Sequence, residues 1–164
     1  MTHRPDIDRP PAQPPEPAFD RFFADEYATA VRLAHLLTGS DASAEDIAQD
    51  AFARVLPHFD RLENPAAYLR TAIVNACRTW HRSRGREQDR FRRHGVSAEV
   101  TISAASAELL DSIRRLPYRQ QAVLVLRYWL DLSEADIAIA IGCRPGTVKS
   151  LHSRALDAIR KDVP

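Results

Sequence analysis

Apolar residues recur every three or four positions along most of the chain, which is the spacing of amphipathic helices. The first helix is predicted over residues 19–37, with Thr38-Gly39-Ser40 as its stop. A second helix follows Asp41-Ala42-Ser43, with Ser43 as its expected N-cap and Pro57 at its end. Asn64-Pro65 is a typical start for a third helix. No strand-like alternation interrupts the pattern, so it predicts an all-α fold.

The helical pattern lapses once, over residues 87–103, where arginine, histidine and glycine replace the apolar periodicity. We expect a flexible linker there. Two helices are predicted beyond it, 104–116 and 117–130, the second with Trp129 facing inward. Six prolines in the first 17 residues indicate a disordered tail. The predicted organisation is a Pro-rich tail (1–17), a small helical domain (18–86), the linker (87–103) and a second small helical domain (104–162).

The last helical stretch, residues 132–159, has the spacing of a helix-turn-helix. Ser133 is expected to cap a short helix that ends in the positive φ of Gly142, and Pro145 then starts another helix. Val148 and Leu151 of that second helix point back onto the first. In DNA-binding proteins with this pattern the second helix enters the major groove. Its outward side chains here are hydroxyl, amine and guanidinium groups, which suit phosphates and base edges.

The net charge of +1 conceals charges that are segregated along the chain. All basic residues except Lys149 and Lys161 are arginine, whose planar guanidinium suits phosphates and base edges. Residues 70–94 hold eight Arg against two acids, and residues 144–161 hold five basic residues against one acid. Residues 41–63 instead hold six acids against two Arg. Two basic segments apart from an acidic one are typical of a protein with nucleic-acid faces and a different, protein-binding face.

Composition argues against several classes of function. No apolar run approaches the ~20 residues that cross a bilayer, and the N-terminus has no signal-peptide core, so we expect a cytoplasmic protein without membrane insertion. Cys77 and Cys143 are too few for a disulfide framework or a zinc site, and both are expected to be small buried thiols. No nucleophile with a base, carboxylate pair or cofactor loop is evident. We therefore expect no enzyme activity, cofactor, metal or small-molecule substrate.

Two blocks of sequence resemble a known family. LPYRQQAVLVLRY (116–128), LSEADIA (132–138) and GCRPGTVKS (142–150) together resemble the fourth region of sigma-70-type factors of the extracytoplasmic-function (ECF) group. Upstream, AEDIAQDAFARV (44–55) resembles the polymerase-binding helix of their second region. NPAAYLRTAIVN (64–75) resembles the promoter-melting segment that follows it. The blocks occur in the family's order, and the resemblance is to the short actinobacterial subgroup with two domains.

The resemblance covers about residues 19–161 and implies a bacterial sigma factor. Such a protein binds core RNA polymerase and directs promoter-specific transcription initiation, here of a stress- or signal-responsive regulon. The resemblance also implies an anti-sigma factor as a partner, wedged between the two domains. The acidic second helix would bind the polymerase, because Asp46, Gln49 and Asp50 share one helical face. The expected polymerase-binding residues are Glu45, Asp46, Gln49, Asp50 and Arg54.

The resemblance further implies two contacts with promoter DNA. The third helix would bind the −10 element as a single strand, and the last helix would bind the −35 element as a duplex. Tyr68 and Trp80 also fit the apolar stripe of the third helix, which favours core positions for both. The expected −10 contacts are Tyr68, Arg70, Asn75, Arg78, Thr79, His81, Arg82 and Arg84. The expected −35 contacts are Arg144, Thr147, Lys149, Ser150, Ser153 and Arg154.

Two other interpretations compete with a sigma factor. A helix-turn-helix transcriptional regulator acting without polymerase would need a dimerisation seam or a receiver domain, and the sequence shows neither. A helical interaction protein with no DNA role would leave the second basic segment unexplained. The paired sequence blocks therefore favour the sigma factor.

Overall fold

A computed structural model describes residues 17–88 and 104–162. Within these two ranges the secondary structure is helical, without strands, as the apolar spacing predicts. No helix in the described ranges is both long and apolar enough to cross a membrane. The elements are α1 (Ala18–Thr38), α2 (Asp41–Val55), a 3₁₀ helix (Leu56–Arg61), α3 (Pro65–Gln88), α4 (Ala104–Arg115), α5 (Tyr118–Tyr128), α6 (Glu134–Ile141) and α7 (Pro145–Asp162).

The boundary between α1 and α2 departs from the expected capping. Gly39 adopts a left-handed conformation with φ 70° and ends α1, as expected. The N-cap of α2 is Ser40, not Ser43, because Ser40 is extended and its Oγ accepts the backbone N–H of Ser43 at 3.3 Å. The prediction that Ser43 caps α2 was therefore wrong. Ser43 lies inside the first turn, and α2 begins at Asp41.

Two other helix starts follow the sequence as expected. Asn64 Oδ1 accepts the N–H of Ala67 at 2.9 Å, and Pro65 is the first residue of α3. Ser133 Oγ accepts the N–H of Asp136 at 3.1 Å and caps α6. These side chains satisfy N–H groups that lack a partner within their helices, a contribution of about 1 kcal/mol each.

The N-terminal half is a bundle in which α1, α2 and α3 pack on one another. Leu33, Leu37, Leu69 and Ile73 are almost completely buried in its core. Pro57 coincides with the change from α2 to the 3₁₀ helix, because proline cannot donate the backbone hydrogen bond that continues an α-helix.

In the C-terminal half, α5 packs on α6 and α7, and α4 packs on α5. Leu126, Ile137 and Val148 are buried there at 2% exposure or less. Trp129 was predicted to face inward, and this was wrong: its exposed fraction is 37%. Trp129 is the C-cap residue of α5, beyond the buried run 121–126, and its backbone N–H donates to the carbonyl of Val125 at 3.0 Å.

The two halves share one continuous hydrophobic core. Helix α3 packs on α6, and α1 packs on α5. Cys77 is buried as expected, whereas Cys143 is only partly buried. The tail (1–17) lies outside the described residues except for Pro17, and residues 89–103 of the expected linker lie outside them as well.

Gly142 and Gly146 provide a matched test of the turn between α6 and α7. Gly142 has φ 66°, a backbone conformation that is unfavourable for alanine. Gly146 instead lies in the first turn of α7. At both positions an added Cβ would meet no atom within 4 Å, so steric clashes do not distinguish the two glycines. We expect Gly142→Ala to lower the free energy of unfolding by ~1–2 kcal/mol. Gly146→Ala should leave it unchanged or raise it by up to ~0.5 kcal/mol. Urea denaturation measures the free energy of unfolding of both variants. Equal changes in the two variants would contradict the assigned turn.

Candidate nucleic-acid and polymerase interfaces

The helix-turn-helix is built by α6, a short turn and α7. The backbone N–H of Cys143 donates to the carbonyl of Ala138 at 2.9 Å and closes the turn after Gly142. Val148 is 2% exposed and Ile137 is fully buried, so the apolar side of α7 is held against α6. This packing fixes which side of α7 faces solvent.

All six side chains expected to contact the −35 element are exposed. Lys149 Nζ lies 3.7 Å from Glu134 Oε2, an exposed pair that water and salt weaken. Ser150 Oγ donates to the carbonyl of Gly146 at 3.2 Å. The structure therefore brings these residues onto the exposed part of one helix and its preceding turn: Arg144, Thr147, Lys149, Ser150, Ser153 and Arg154.

An exposed aromatic residue at the edge of α7 was missed by the sequence analysis. Tyr128 is 66% exposed, and its hydroxyl lies 2.8 Å from Nε2 of His152. The two rings stack with centroids 5.7 Å apart. Apolar periodicity pointed to the neighbouring Trp129 and not to Tyr128, which is the last residue of α5.

Helix α2 presents a polar face opposite its buried side. Ile47, Ala51 and Phe52 are buried, whereas the five residues expected to bind polymerase are all exposed. Within the described residues none of these five side chains forms an ion pair. The carboxylates of this acidic face are therefore not neutralised by neighbours within the described part of the chain. The members of the face are Glu45, Asp46, Gln49, Asp50 and Arg54.

The eight residues expected to contact the −10 element divide between two sides of α3. Five are exposed, and four of these recur at spacings of seven, four and three, which places them on one stripe of the helix. This −10 stripe consists of Tyr68, Asn75, Thr79 and Arg82. The structure brings these four together.

The other four expected −10 residues do not join the stripe. Arg70 is half-buried. Arg78 and His81 are half-buried and line a cleft with the first turn of α5. Arg84 lies over the ring of Trp80, 4.6 Å from its centroid.

A core position was expected for both Tyr68 and Trp80, but the structure shows it only for Trp80. Trp80 packs against the core, and its Nε1 donates to Ser43 Oγ at 3.0 Å, which confirms a structural position. Tyr68 is 39% exposed, so a core position for it was wrong. Tyr68 is the fourth residue of α3 and stands one position before Leu69, the first buried residue of that helix.

Comparison with known proteins identifies the family. The model of sigma-70 region 2 matches residues 22–87, and the model of sigma-70 region 4 matches residues 106–159. The ECF RNA polymerase sigma factor SigL of Mycobacterium tuberculosis is 31% identical over 158 residues, with 88% of this chain and 89% of SigL covered. RNA polymerase sigma-E factor of Streptomyces coelicolor is 29% identical over 151 residues, with 88% and 85% covered.

A solved structure agrees with these relatives. The sigma factor RpoE from Bartonella quintana, in complex with the anti-sigma factor NepR, superposes with a TM-score of 0.74 at 25% identity, covering 88% of this chain and 96% of RpoE. The chain belongs to the ECF RNA polymerase sigma factors of the sigma-70 family. The resemblance found in the sequence is thereby confirmed.

Membership in this family defines the class of activity. The protein is a transcription initiation factor that directs RNA polymerase to promoters. Sigma factors are non-catalytic initiation factors. The comparisons support this function and not the alternative of a regulator that acts without polymerase.

Proposed function

We propose that the three exposed polar surfaces divide the work of initiation. The acidic face of α2 binds core RNA polymerase, the −10 stripe of α3 binds single-stranded DNA, and α7 enters the major groove of the −35 element. The observation that carries the proposal is the separation of an unneutralised acidic face from two surfaces rich in hydroxyl, amide and basic groups. The protein itself catalyses no reaction, acts in the cytoplasm and serves a stress- or signal-responsive regulon.

The composition of α7 supports duplex recognition. Arg154 can donate two hydrogen bonds to a guanine edge, and Ser150 and Ser153 can pair with several bases. Arg144 and Thr147 lie at the start of α7. The start of a recognition helix is close to the phosphates of the DNA backbone, so these two residues are suited to phosphate contacts. Base contacts in the middle of the exposed face and phosphate contacts at its start would fix one register on the DNA.

The −10 stripe supports capture of a melted strand. Tyr68 offers an exposed ring on which a base can stack. Asn75 and Thr79 supply hydrogen-bonding groups, and Arg82 supplies charge for the phosphates. Aromatic, amide and basic groups in one line are suited to bases that are unstacked from a duplex.

Replacement of Tyr68 tests this part of the proposal. We expect Tyr68→Ala to reduce promoter melting about tenfold or more, because a base–aromatic stack contributes ~1–3 kcal/mol. Tyr68→Phe keeps the ring and should melt the promoter as the wild type does. Permanganate reactivity of thymines in the −10 element measures melting in the complex with polymerase. Undiminished reactivity with the alanine variant would contradict a stacking role.

An anti-sigma factor is a further proposed partner. Support comes from RpoE of Bartonella quintana, whose structure was solved with the anti-sigma factor NepR and whose similarity to this chain extends over 88% of it. That coverage includes both halves of the chain. Co-purification of the full chain with candidate inhibitors, followed by competition with core polymerase, tests this partnership.

A further inference from the structure

A basic cleft lies between α3 and the first turn of α5. Leu151 of α7 also lines it, and its volume is about 390 Å³. Its basic side chains are Arg78, His81, Arg82 and Arg119, and no acidic residue of the described ranges lines it. Ligand sites in proteins have volumes of about 300–1,000 Å³, so this cleft has room for one small molecule.

The guanidinium groups of the cleft carry charge that the described part of the chain does not neutralise. Arginine stays protonated in proteins, so Arg78, Arg82 and Arg119 are all positively charged. None of them forms an ion pair within residues 17–88 and 104–162. The Nε of Arg119 is buried and has no hydrogen-bond partner among these residues, which is rare for a buried donor. A bound anion would relieve the repulsion among these charges.

Buried hydrogen bonds hold the walls of the cleft in place. Tyr118 lines the cleft, and its hydroxyl donates to the carbonyl of Val74 in α3 at 2.6 Å. Gln121 of α5 is 1% exposed, and its Nε2 donates to the carbonyl of Leu36 in α1 at 3.2 Å. The cleft is therefore formed before a ligand arrives, and a preformed site loses less conformational entropy on binding.

The lining of the cleft combines basic groups with apolar surface. Pro117, Leu151 and the ring of Tyr118 supply the apolar surface. Guanidinium groups pair with phosphate oxygens through two parallel hydrogen bonds, whereas aromatic and apolar surface suits the face of a base. Helix α5 begins here without a side-chain cap, so the N–H groups of its first turn add to the positive potential.

The cleft is distinct from the −10 stripe. Arg82 is the one member of that stripe that lines the cleft. Arg119 belongs to α5, a helix that contributes no residue to either of the proposed DNA surfaces. A single strand needs a groove that follows its backbone over several nucleotides, whereas a cleft of this volume suits one small ligand.

We propose that this cleft binds a nucleoside diphosphate or triphosphate, with its phosphates on Arg78, Arg82 and Arg119 and its base against Tyr118 and Leu151. More than one phosphate is needed to match three guanidinium groups, because a single phosphate monoester carries a charge of about −1.5 to −2 at pH 7. Binding itself is independent of the proposed function. One consequence rests on that function: a nucleotide on Arg82 competes with the −10 single strand.

Isothermal titration calorimetry of the full chain with ADP tests the site. We expect ADP to bind at least about tenfold more tightly than inorganic pyrophosphate, which lacks a base, or adenosine, which lacks phosphates. Arg119→Gln removes one guanidinium and should weaken ADP binding about tenfold or more. Arg127→Gln makes the same change at an exposed position of α5, about 12 Å further along the helix. This control should bind ADP within about twofold of the wild type.

A second variant guards against a loss that reflects unfolding. Gln120 lines the cleft and lies in the first turn of α5, where a carboxylate stabilises a helix through its dipole. Gln120→Glu should therefore keep the helical circular dichroism spectrum and the Tm of the wild type. Its new negative charge repels phosphate, so we expect about tenfold weaker binding of ADP.

Several outcomes would overturn the nucleotide site. They are absence of ADP binding at millimolar concentration, adenosine or pyrophosphate binding as tightly as ADP, and equal losses in Arg119→Gln and Arg127→Gln. Weakened binding of a single-stranded oligothymidylate by Arg119→Gln, as strong as that of ADP, would instead make the cleft part of the DNA surface. A chain that binds ADP with the expected order of affinities but fails to bind polymerase would refute the proposed function and leave the nucleotide site intact.

Discussion

The double substitution Asp46→Arg with Asp50→Arg is expected to abolish binding to core RNA polymerase. Both carboxylates are exposed on one face of α2, and neither forms an ion pair with a described residue. If a basic polymerase surface meets this face, the substitution replaces attraction with repulsion. Like charges brought together at an interface cost several kcal/mol, so the dissociation constant should rise at least ~100-fold. Fluorescence anisotropy of a labelled chain titrated with core polymerase measures this dissociation constant.

The fold should survive this change, because neither side chain is buried and arginine is a good helix former. A control with the same change in charge is Asp25→Arg with Asp111→Arg, at exposed positions on α1 and α4. The control should bind polymerase within about threefold of the wild type, as expected for charges at the rim or outside an interface. Equal losses in the two double variants would mean that net charge, and not the acidic face of α2, governs binding.

The second large effect concerns sequence recognition by α7. Arg154→Ala should cost ~1–3 kcal/mol at one base pair of the −35 element and relax the preference there. Arg144→Ala should instead weaken binding to all sequences and lower the salt slope by about one unit, because the exposed Arg144 is proposed to contact a backbone phosphate. Electrophoretic mobility shifts of the holoenzyme on a set of single-base variants of the promoter separate these two behaviours.

Arg160→Ala is the matched control for Arg154→Ala. Arg160 is also exposed on α7 but pairs with Asp157 at 3.4 Å, and it lies six residues beyond Arg154. Its replacement should leave the base preference unchanged. A uniform loss of affinity with Arg154→Ala would make Arg154 a phosphate contact.

Helix positions and most helix starts were predictable from the sequence because they depend on local chemistry. Asn64-Pro65 and Ser133 form the expected starts, and Gly142 adopts the expected left-handed conformation. The helix-turn-helix was equally predictable, because it depends on a small residue, a glycine and apolar residues at fixed spacings. All of them lie within about twenty residues of one another. The exposed face of α7 then follows from helical periodicity alone.

The errors arose where two local solutions compete. Ser40 and Ser43 stand three residues apart, and either could serve as an N-cap; the glycine stop at Gly39 leaves Ser40 extended and decides between them. Trp129 fits the apolar stripe of α5, but the helix ends one residue earlier. Such boundaries depend on a residue or two and not on the periodicity of a whole segment.

The packing of the two halves was beyond sequence analysis. Gln121 and Tyr118 are close to one another in sequence, but their partners lie 44 to 85 residues away. A buried glutamine looks like an ordinary polar position in the helical pattern until the opposing carbonyls are known. The same packing divides the expected −10 residues, because it covers Arg78 and His81 and leaves Tyr68, Asn75 and Thr79 exposed.

Reconstituted transcription tests the central claim most directly. The full chain is combined with core RNA polymerase of the source bacterium on a set of genomic promoter fragments, and the start sites are mapped. We predict specific start sites that depend on the added chain and vanish with Asp46→Arg plus Asp50→Arg. Absence of specific starts, together with absence of binding to core polymerase, would contradict the account.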